Sequence, residues 1–341
     1  MRNVVINDIG HESDFKPLKL INEYIIKTEN DFREENRVQN NKLNNRCCPA
    51  CNSGEQEYLF SKFGFSYVRC KNCRSVFLNP SPDDTKIKDH YLNSSSSTYW
   101  QESLAGKTKK MRIQKIYGPE LEWILSNCGD INPNERKLGL FNLKSSILAD
   151  FLMNEQNFAE KSLINSYFNT KRFGEKNLAE NTFCSVEDFK DSGKKINIVC
   201  LFDVLDSLND IDTFFSSLNA ILEKEAIVFL TTISISGFDL QILKGNSRNI
   251  FPPDRLNALS RKGLNTLFDR HGFRQLEYST PGILDFNNVE EEYRTNPDSD
   301  IPDFVKEMIE KNDPHLKRDF QNFLQTNKLS SFVRVVLEKK D

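Results

Sequence analysis

Two cysteine pairs, Cys48/Cys51 and Cys70/Cys73, carry the clearest chemistry in this 341-residue chain. Each pair has CxxC spacing, and eighteen residues separate the two. A CxxC turn presents two thiolates to one metal, and two such turns about 15–20 residues apart are the knuckles of a zinc ribbon. The spacing therefore predicts one tetrahedral zinc held by Cys48, Cys51, Cys70 and Cys73. Cys47 could stand in for Cys48 only by making a poorer CxxxC turn. A disulfide pair or chance clustering is the alternative, but five of the eight cysteines fall between positions 47 and 73. Cys128, Cys184 and Cys200 are scattered, which suits a reducing compartment where such an array binds metal.

The elements around these residues follow from periodicity. Glu57–Tyr67, rich in aromatics, reads as a hairpin beside the metal. Leu18–Ile26 predicts one amphipathic helix, Glu29–Arg46 a flexible stretch, and Ser94–Thr98 a serine-rich loop. Asn79-Pro80-Ser81-Pro82 stops local structure, and Leu104, Met111, Ile116, Leu121 and Ile124 predict helices over Tyr99–Asn127. Beyond about residue 136, short apolar runs alternate with helical periodicity, the α/β pattern. Lys137–Asn142 is expected as a first strand and Ser145–Asn154 as a helix. Ser162–Phe168 and Asn181–Cys184 are expected as short strands. Ile196–Phe202, apolar throughout and ending at Asp203, predicts a strand buried on both faces. A helix over Ile211–Glu225 and a strand over Ala226–Thr232 follow. Ser260–His271 reads as a helix closed by Gly272, and Arg274–Thr280 and Phe332–Glu338 as strands. The division expected is an extension over 1–45, a ribbon over 46–82, a helical linker over 83–130 and an α/β domain over 131–341 with a helical insertion at about 283–330.

Net charge is −3, so nothing draws the whole chain to nucleic acid, and Lys107–Lys115 is a single basic run expected on a solvated helix face. No apolar run approaches the length of a membrane span. The first thirty residues lack a signal peptide's basic start and apolar middle. The expectation is a cytoplasmic protein without nucleic-acid or membrane partners.

Taken in order, several segments resemble the zinc-ribbon-bearing class I S-adenosylmethionine (SAM) methyltransferases, many of which decorate sugars and surface glycans. They are the ribbon running into Phe77–Pro82, then Phe202–Leu208, Ser236–Leu243, Asn249–Pro253, Thr280–Asp285 and Phe323–Ser331. The resemblance covers about 46–341. It implies a Rossmann-like, doubly wound α/β sheet, mostly parallel with an antiparallel last strand, behind an N-terminal zinc ribbon. It implies SAM beside zinc as cofactor, and a small-molecule or sugar-nucleotide acceptor. Asn142 and Asp203 fall where that family holds the cofactor, and Asp206 falls where it does acid–base work.

The same comparison shows departures. The family's DxGxGxG loop falls on Gly139, Phe141, Leu143 and Ser145, so bulk replaces glycine, and the ribose-binding acid expected near Tyr167–Thr170 is missing. The histidine expected after the fourth strand is replaced in Asp206-Ser207, and a serine hydroxyl cannot act unaided as a base near neutrality. No histidine occurs at Asp254–Asn257, and Phe332 stands where another is expected. His271 is expected as a helix-terminal residue, His90 near the ribbon, and His11 and His315 on the surface. Two readings follow. One is a working methyltransferase, since in-line methyl transfer depends largely on positioning. The other is an inactive pseudo-methyltransferase serving a protein partner.

Overall fold

Ile196–Phe202 is buried along nearly its whole length because both of its faces are covered, as its unbroken apolar character requires. It is the middle strand of seven. The computed structural model describes residues 17–37, 43–141, 146–164 and 182–340. In chain order the strands are β1 Leu43–Asn44, β2 Gln56–Lys62, β3 Phe65–Cys70, β4 Val76–Leu78, β5 Ser81–Pro82, β6 Lys137–Phe141, β7 Glu160–Ile164 and β8 Thr182–Phe183. They continue as β9 Ile196–Phe202, β10 Leu222–Ile233, β11 Asn257–Ala258, β12 Phe273–Ser279 and β13 Phe332–Lys339.

The main sheet runs β12-β13-β10-β9-β6-β7-β8. Pairings from β8 through β10 are parallel, and β13 lies antiparallel between β10 and β12. This is the expected doubly wound sheet. Val333, Val335 and Leu337 are fully buried in it, each contributing about 1.5–3 kcal/mol by removal from water. Strand order reverses between β6 and β9, and in open α/β sheets the carboxyl ends at such a switch point are where ligands bind. Helices Gly118–Asn127 and Ser146–Met153 cover one face. Helices Val186–Asp191, Ile211–Ile221 and Arg261–Arg270 cover the other.

Several boundaries differ from expectation. The N-terminal helix runs from Leu18 to Arg37, through the stretch expected to be flexible. Phe32 explains this: it is fully buried against Phe65 and His90, and Asp31 accepts from the Ser96 amide at the start of another helix. That helix, Ser95–Tyr99, replaces the expected serine loop, because Ser94 caps it by accepting from the Ser97 amide. The helix from Ile211 ends at Ile221 rather than Glu225, since Leu222 pairs with Ile196 and β10 begins there. The parts of the second and third strand expectations between 165 and 181 lie outside the described residues.

The ribbon is not a separate bead. Its sheet has the order β11-β4-β3-β2, so a strand from after β10 completes it. Its knuckles share one core with the main sheet: Cys48, Ala50, Cys70 and Cys73 pack with Leu264, Leu267 and Phe268. Gly237 shows how tightly the next segment is drawn in. A Cβ there would stand 2.2 Å from Ser331 Cα, and Ser234 N–H and Phe238 N–H donate to the carbonyls of Ser331 and Leu329 at 2.8 Å. Gly237→Ala is expected to destabilise the fold by about 1–3 kcal/mol or more, because backbone must move. A shift of the denaturation midpoint under about 0.5 kcal/mol would show that this approach is looser.

Candidate metal centre and cofactor cleft

Each cysteine pair sits in the same turn. Cys48 N–H donates to Ser53 O and Asn52 N–H to Cys48 O; Cys70 N–H donates to Ser75 O and Arg74 N–H to Cys70 O. Asn52 and Arg74, one residue past each second cysteine, both adopt left-handed backbone, with φ of 57° and 68°. The two knuckles are therefore copies of one another, facing. Cys48 Sγ lies 3.5 Å from Cys73 Sγ and Cys51 Sγ 3.6 Å from Cys70 Sγ, and all four sulfurs lie within 4.8 Å of one another. Zinc–sulfur bonds of about 2.3 Å put tetrahedral sulfurs about 3.8 Å apart, so the donor set fits. The Cys73 thiol is pulled down to about 4, first by donation from Cys48 and against its own burial. Cys48, as that donor and buried, is pushed well up. Cys47 is exposed, and every cysteine is a free thiol. His90 is buried edge-on to Phe32 and Tyr91, outside the four-cysteine cluster.

The ribbon is bolted to the helix Arg261–Arg270. Ser260 Oγ donates to Cys73 O at 2.5 Å, Lys262 Nζ to Asn72 O at 2.8 Å and Arg270 Nη1 to Ala50 O at 2.5 Å. Its N-cap, Ser260, also accepts from Gly263 N–H at 2.9 Å. His271, at the helix end as expected, contacts Asp212 at 2.8 Å and stacks on Phe215.

At the switch point, Asp203 directly follows β9 with a φ of 57° and a half-exposed side chain. Asp206, three residues on, is buried. Its carboxylate accepts from Thr232 Oγ1 and lies 3.2 Å from Arg255 Nε; Asp203 lies 3.7 Å from the same guanidinium. Burial works against the charge on Arg255, but Asp206, Asp203 and Asp254 outweigh it and raise its pKa above the usual value. Around this pair the chain is stitched together. Tyr24 and Tyr91 hydroxyls donate to Asp254 at 3.0 and 2.9 Å, and the Tyr67 hydroxyl donates to Arg255 O at 2.5 Å. All three phenols are pushed up by burial, and the nearby Asp254 carboxylate adds to it. Asp254 and Arg255 thus join the N-terminal helix and the ribbon to Asp206, just past the tip of β9.

Asn142 lies outside the described residues, as do Leu143 and Ser145. Phe141 is fully buried, and its ring meets Phe214 edge-on at 5.4 Å in the core below the Ile211–Ile221 helix. Side chains alternate along a strand, so this ring points into packing on one face while Leu140 serves the other. Gly139 is a packing glycine: a Cβ there would meet Ile196 Cδ1 at 2.4 Å.

A second group of polar side chains lies on the opposite face of the sheet, level with the last residues of β9 and β12. Arg334 pairs across β13 with Thr231 on β10 and Ser279 on β12. Its guanidinium lies 5.2 Å over the Trp123 ring, and Trp123 Nε1 donates to Glu277 at 3.2 Å. Glu120, one helical turn before Trp123 and on the same side of the helix, is also buried. Desolvation pushes Glu120 up to about 7, with Arg334 opposing and Asp203 adding. Sequence reading passed over this group. The signals available were a charged residue within the otherwise apolar FVRVVL run and an acid opening the ELEWIL stretch.

Because folding raises the Glu120 pKa above its unfolded value, the stability tied to its proton is present at acid pH and lost as pH rises through about 7. Glu120→Gln is therefore expected to gain stability relative to the parent between pH 5 and 8, by on the order of 3 kcal/mol at most. Denaturation midpoints across that range test it, and parallel curves for the two proteins would refute it.

Residues 130–278 match the family model described as a methyltransferase domain. No curated protein matches the chain. Among solved structures, the chain is similar to the plantazolicin methyltransferase BpumL in complex with SAH (10% identity, 75% of this chain and 94% of that one, TM-score 0.43). It is also similar to the geranyl diphosphate C-methyltransferase of Streptomyces coelicolor A3(2) (10%, 68% and 83%, TM-score 0.40) and to the [4+2]-cyclase SpnF (10%, 67% and 82%, TM-score 0.39). The chain carries a Rossmann-like methyltransferase fold, and its 130–278 segment is similar in sequence to the methyltransferase domain family.

Proposed function

We propose that this protein is a SAM-dependent methyltransferase acting on a small-molecule or sugar-nucleotide acceptor, with a structural zinc in its ribbon. The observation that carries the reading is the family match laid over a sheet whose strand order reverses between β6 and β9, with Asp203 half-exposed directly after β9. Phe141 is compatible with it: its ring is taken into the core against Phe214. Asn142 and Asp203 would hold the cofactor, which supplies an electrophilic methyl group when bound. Cys48, Cys51, Cys70 and Cys73 would hold zinc with no open position, a stabilising rather than a reactive site. Asp206, paired with Arg255, would position Asp203 rather than move protons itself. The extension, ribbon, linker and α/β division at about residues 45, 82 and 130 belongs to the same proposal.

A pseudo-methyltransferase is the second reading. It is favoured by the lack of an acid at Gly139 and by the burial of Asp206, which leave fewer groups to grip SAM. Calorimetric titration of the zinc-loaded protein with SAM and S-adenosylhomocysteine separates the two. Dissociation constants in the micromolar range, about −8 kcal/mol, are expected for a working cofactor site. No heat and no thermal shift at millimolar ligand would leave the pseudoenzyme reading.

A further inference from the structure

The basic run Lys107–Lys115 is only partly the solvated face expected of it. It carries five basic residues, and no acid occurs between Gly106 and Tyr117. Lys107, Lys109 and Lys110 are exposed, and among the described residues only Lys109 has an acid partner, Asp150 at 2.9 Å. Arg112 instead turns inward. It is half-buried, its Nε donates to Thr108 Oγ1 at 3.0 Å, and its guanidinium lies 5.2 Å over the half-buried Trp100 ring. Its Nη nitrogens meet no acceptor among the described residues. A guanidinium tethered at Nε and stacked on an indole is a preorganised fork, suited to a carboxylate or phosphate. The backbone around it is also unusual. Trp100–Ala105 and Ile113–Tyr117 are π-helical, and Gly118 N–H donates to Ile113 O, five residues back. Such turns are rare and recur at functional sites. The segment is placed accordingly. Gln101 Oε1 accepts from Ser146 Oγ at 3.0 Å, at the first residue of the helix that follows β6. The Trp100 ring also meets Tyr24 at 5.0 Å, whose hydroxyl donates to Asp254, next to the Arg255 that pairs with Asp203. Arg112 and Trp100 thus belong to a wall running from the helix after β6 to Asp203 after β9.

We propose that Arg112, held over Trp100 within this basic run, is an anion subsite that grips the diphosphate of a nucleotide-linked acceptor. The inference rests on the methyltransferase reading for its purpose: among small-molecule and sugar-nucleotide acceptors it selects those carrying phosphate. No bond forms or breaks there. The Nη groups donate side by side to oxygens of one phosphate, and the exposed ammonium groups of Lys107 and Lys110 draw the diphosphate in from solution. Charge picks the class. A stretch of five basic residues without an acid repels a cation, and a neutral acceptor offers the fork nothing stronger than water does. The chain as a whole carries −3, so the attraction is local to this segment. At 0.1 M salt charges are screened over about 10 Å, so the exposed lysines steer while the stacked fork holds. The carboxylate of SAM is the other oxyanion such a fork could take, and the test separates the two.

The test titrates the full-length, zinc-loaded protein with inorganic pyrophosphate by calorimetry, at constant ionic strength set with sodium chloride. Zinc is measured before and after, so that metal loss is not mistaken for binding. The parent should bind pyrophosphate, with affinity falling as salt is raised. Arg112→Gln should weaken binding at least about tenfold. Arg112→Lys keeps the charge without the fork and should fall in between, which also covers the case of a glutamine variant that does not fold. Lys107→Gln should cost only about two- to threefold. The chain has two tryptophans and Trp123 is buried, so pyrophosphate should change the emission of Trp100 and lose that signal in Trp100→Phe. A merely structural Arg112 would lower the melting point of its variants and leave pyrophosphate affinity unchanged. No binding by the parent, undiminished binding in both Arg112 variants, or equal losses in Arg112→Gln and Lys107→Gln would each overturn the proposal. So would an Arg112→Gln protein that loses SAM and keeps pyrophosphate, which marks a carboxylate anchor instead. Pyrophosphate binding without SAM binding would strike only the cofactor reading, and SAM binding without pyrophosphate binding would strike only this one.

Discussion

Cys73→Ser will strip the protein of its metal and unfasten a wall of the α/β core with it. Elemental analysis of the parent should return about one zinc per chain, and the variant essentially none, because three thiolates and a hydroxyl make a much poorer tetrahedral set. The effect reaches beyond the ribbon because Cys48, Cys70 and Cys73 share a core cluster with Leu264, Leu267 and Phe268, and Cys73 O and Ala50 O accept from Ser260 and Arg270. Structural zinc contributes on the order of 10 kcal/mol in small zinc domains, comparable to the whole stability of a typical fold. Hydrogen exchange should accelerate first over Arg261–Arg270, and a chelator should lower the melting point of the parent but not of the variant. A metal-free protein that remains fully folded, or a Cys48–Cys51 disulfide, would refute the zinc assignment.

Arg255→Met should destabilise the protein by about 3–5 kcal/mol, since it leaves the Asp206 carboxylate buried without its counter-charge. Asp206→Asn should cost less. The amide keeps an acceptor for Thr232 and carries no charge, and Arg255 retains Asp203 at 3.7 Å. The double variant should fall well short of the sum, because each change removes the partner that makes the other costly. Denaturant titration measures all three. A loss below about 1 kcal/mol for Arg255→Met would mean that Asp206 is hydrated, and so free to act as a base.

Much of the fold was legible in residue order alone. Ile196–Phe202 read as a buried central strand because a strand covered on both faces has no polar position, and β13 read as sheet because it alternates valine around Arg334. The ribbon was legible because metal geometry fixes CxxC spacing within one short turn. These are local constraints, carried by neighbours a few residues apart.

Other features depended on contacts across the chain. The N-terminal helix extends to Arg37 because Phe32 finds Phe65 and His90, and the ribbon sheet is completed by Asn257–Ala258 from 180 residues further on. Aligned by motif, Phe141 looked like an obstruction in a cofactor loop; strand alternation turned its ring into the core against Phe214. That Arg255 and Thr232 lie beside Asp206 is likewise decided by folding. Glu120 and Arg334, more than 200 residues apart, have no shared signature in sequence. By itself the sequence determined the four-cysteine cluster, most strand and helix types and the sheet class, because cysteine spacing and hydrophobic period act over a few residues. Only the tertiary structure decided which acids are paired, which face each side chain serves and which charges meet, because burial and Coulomb energy depend on distance in space and not along the chain.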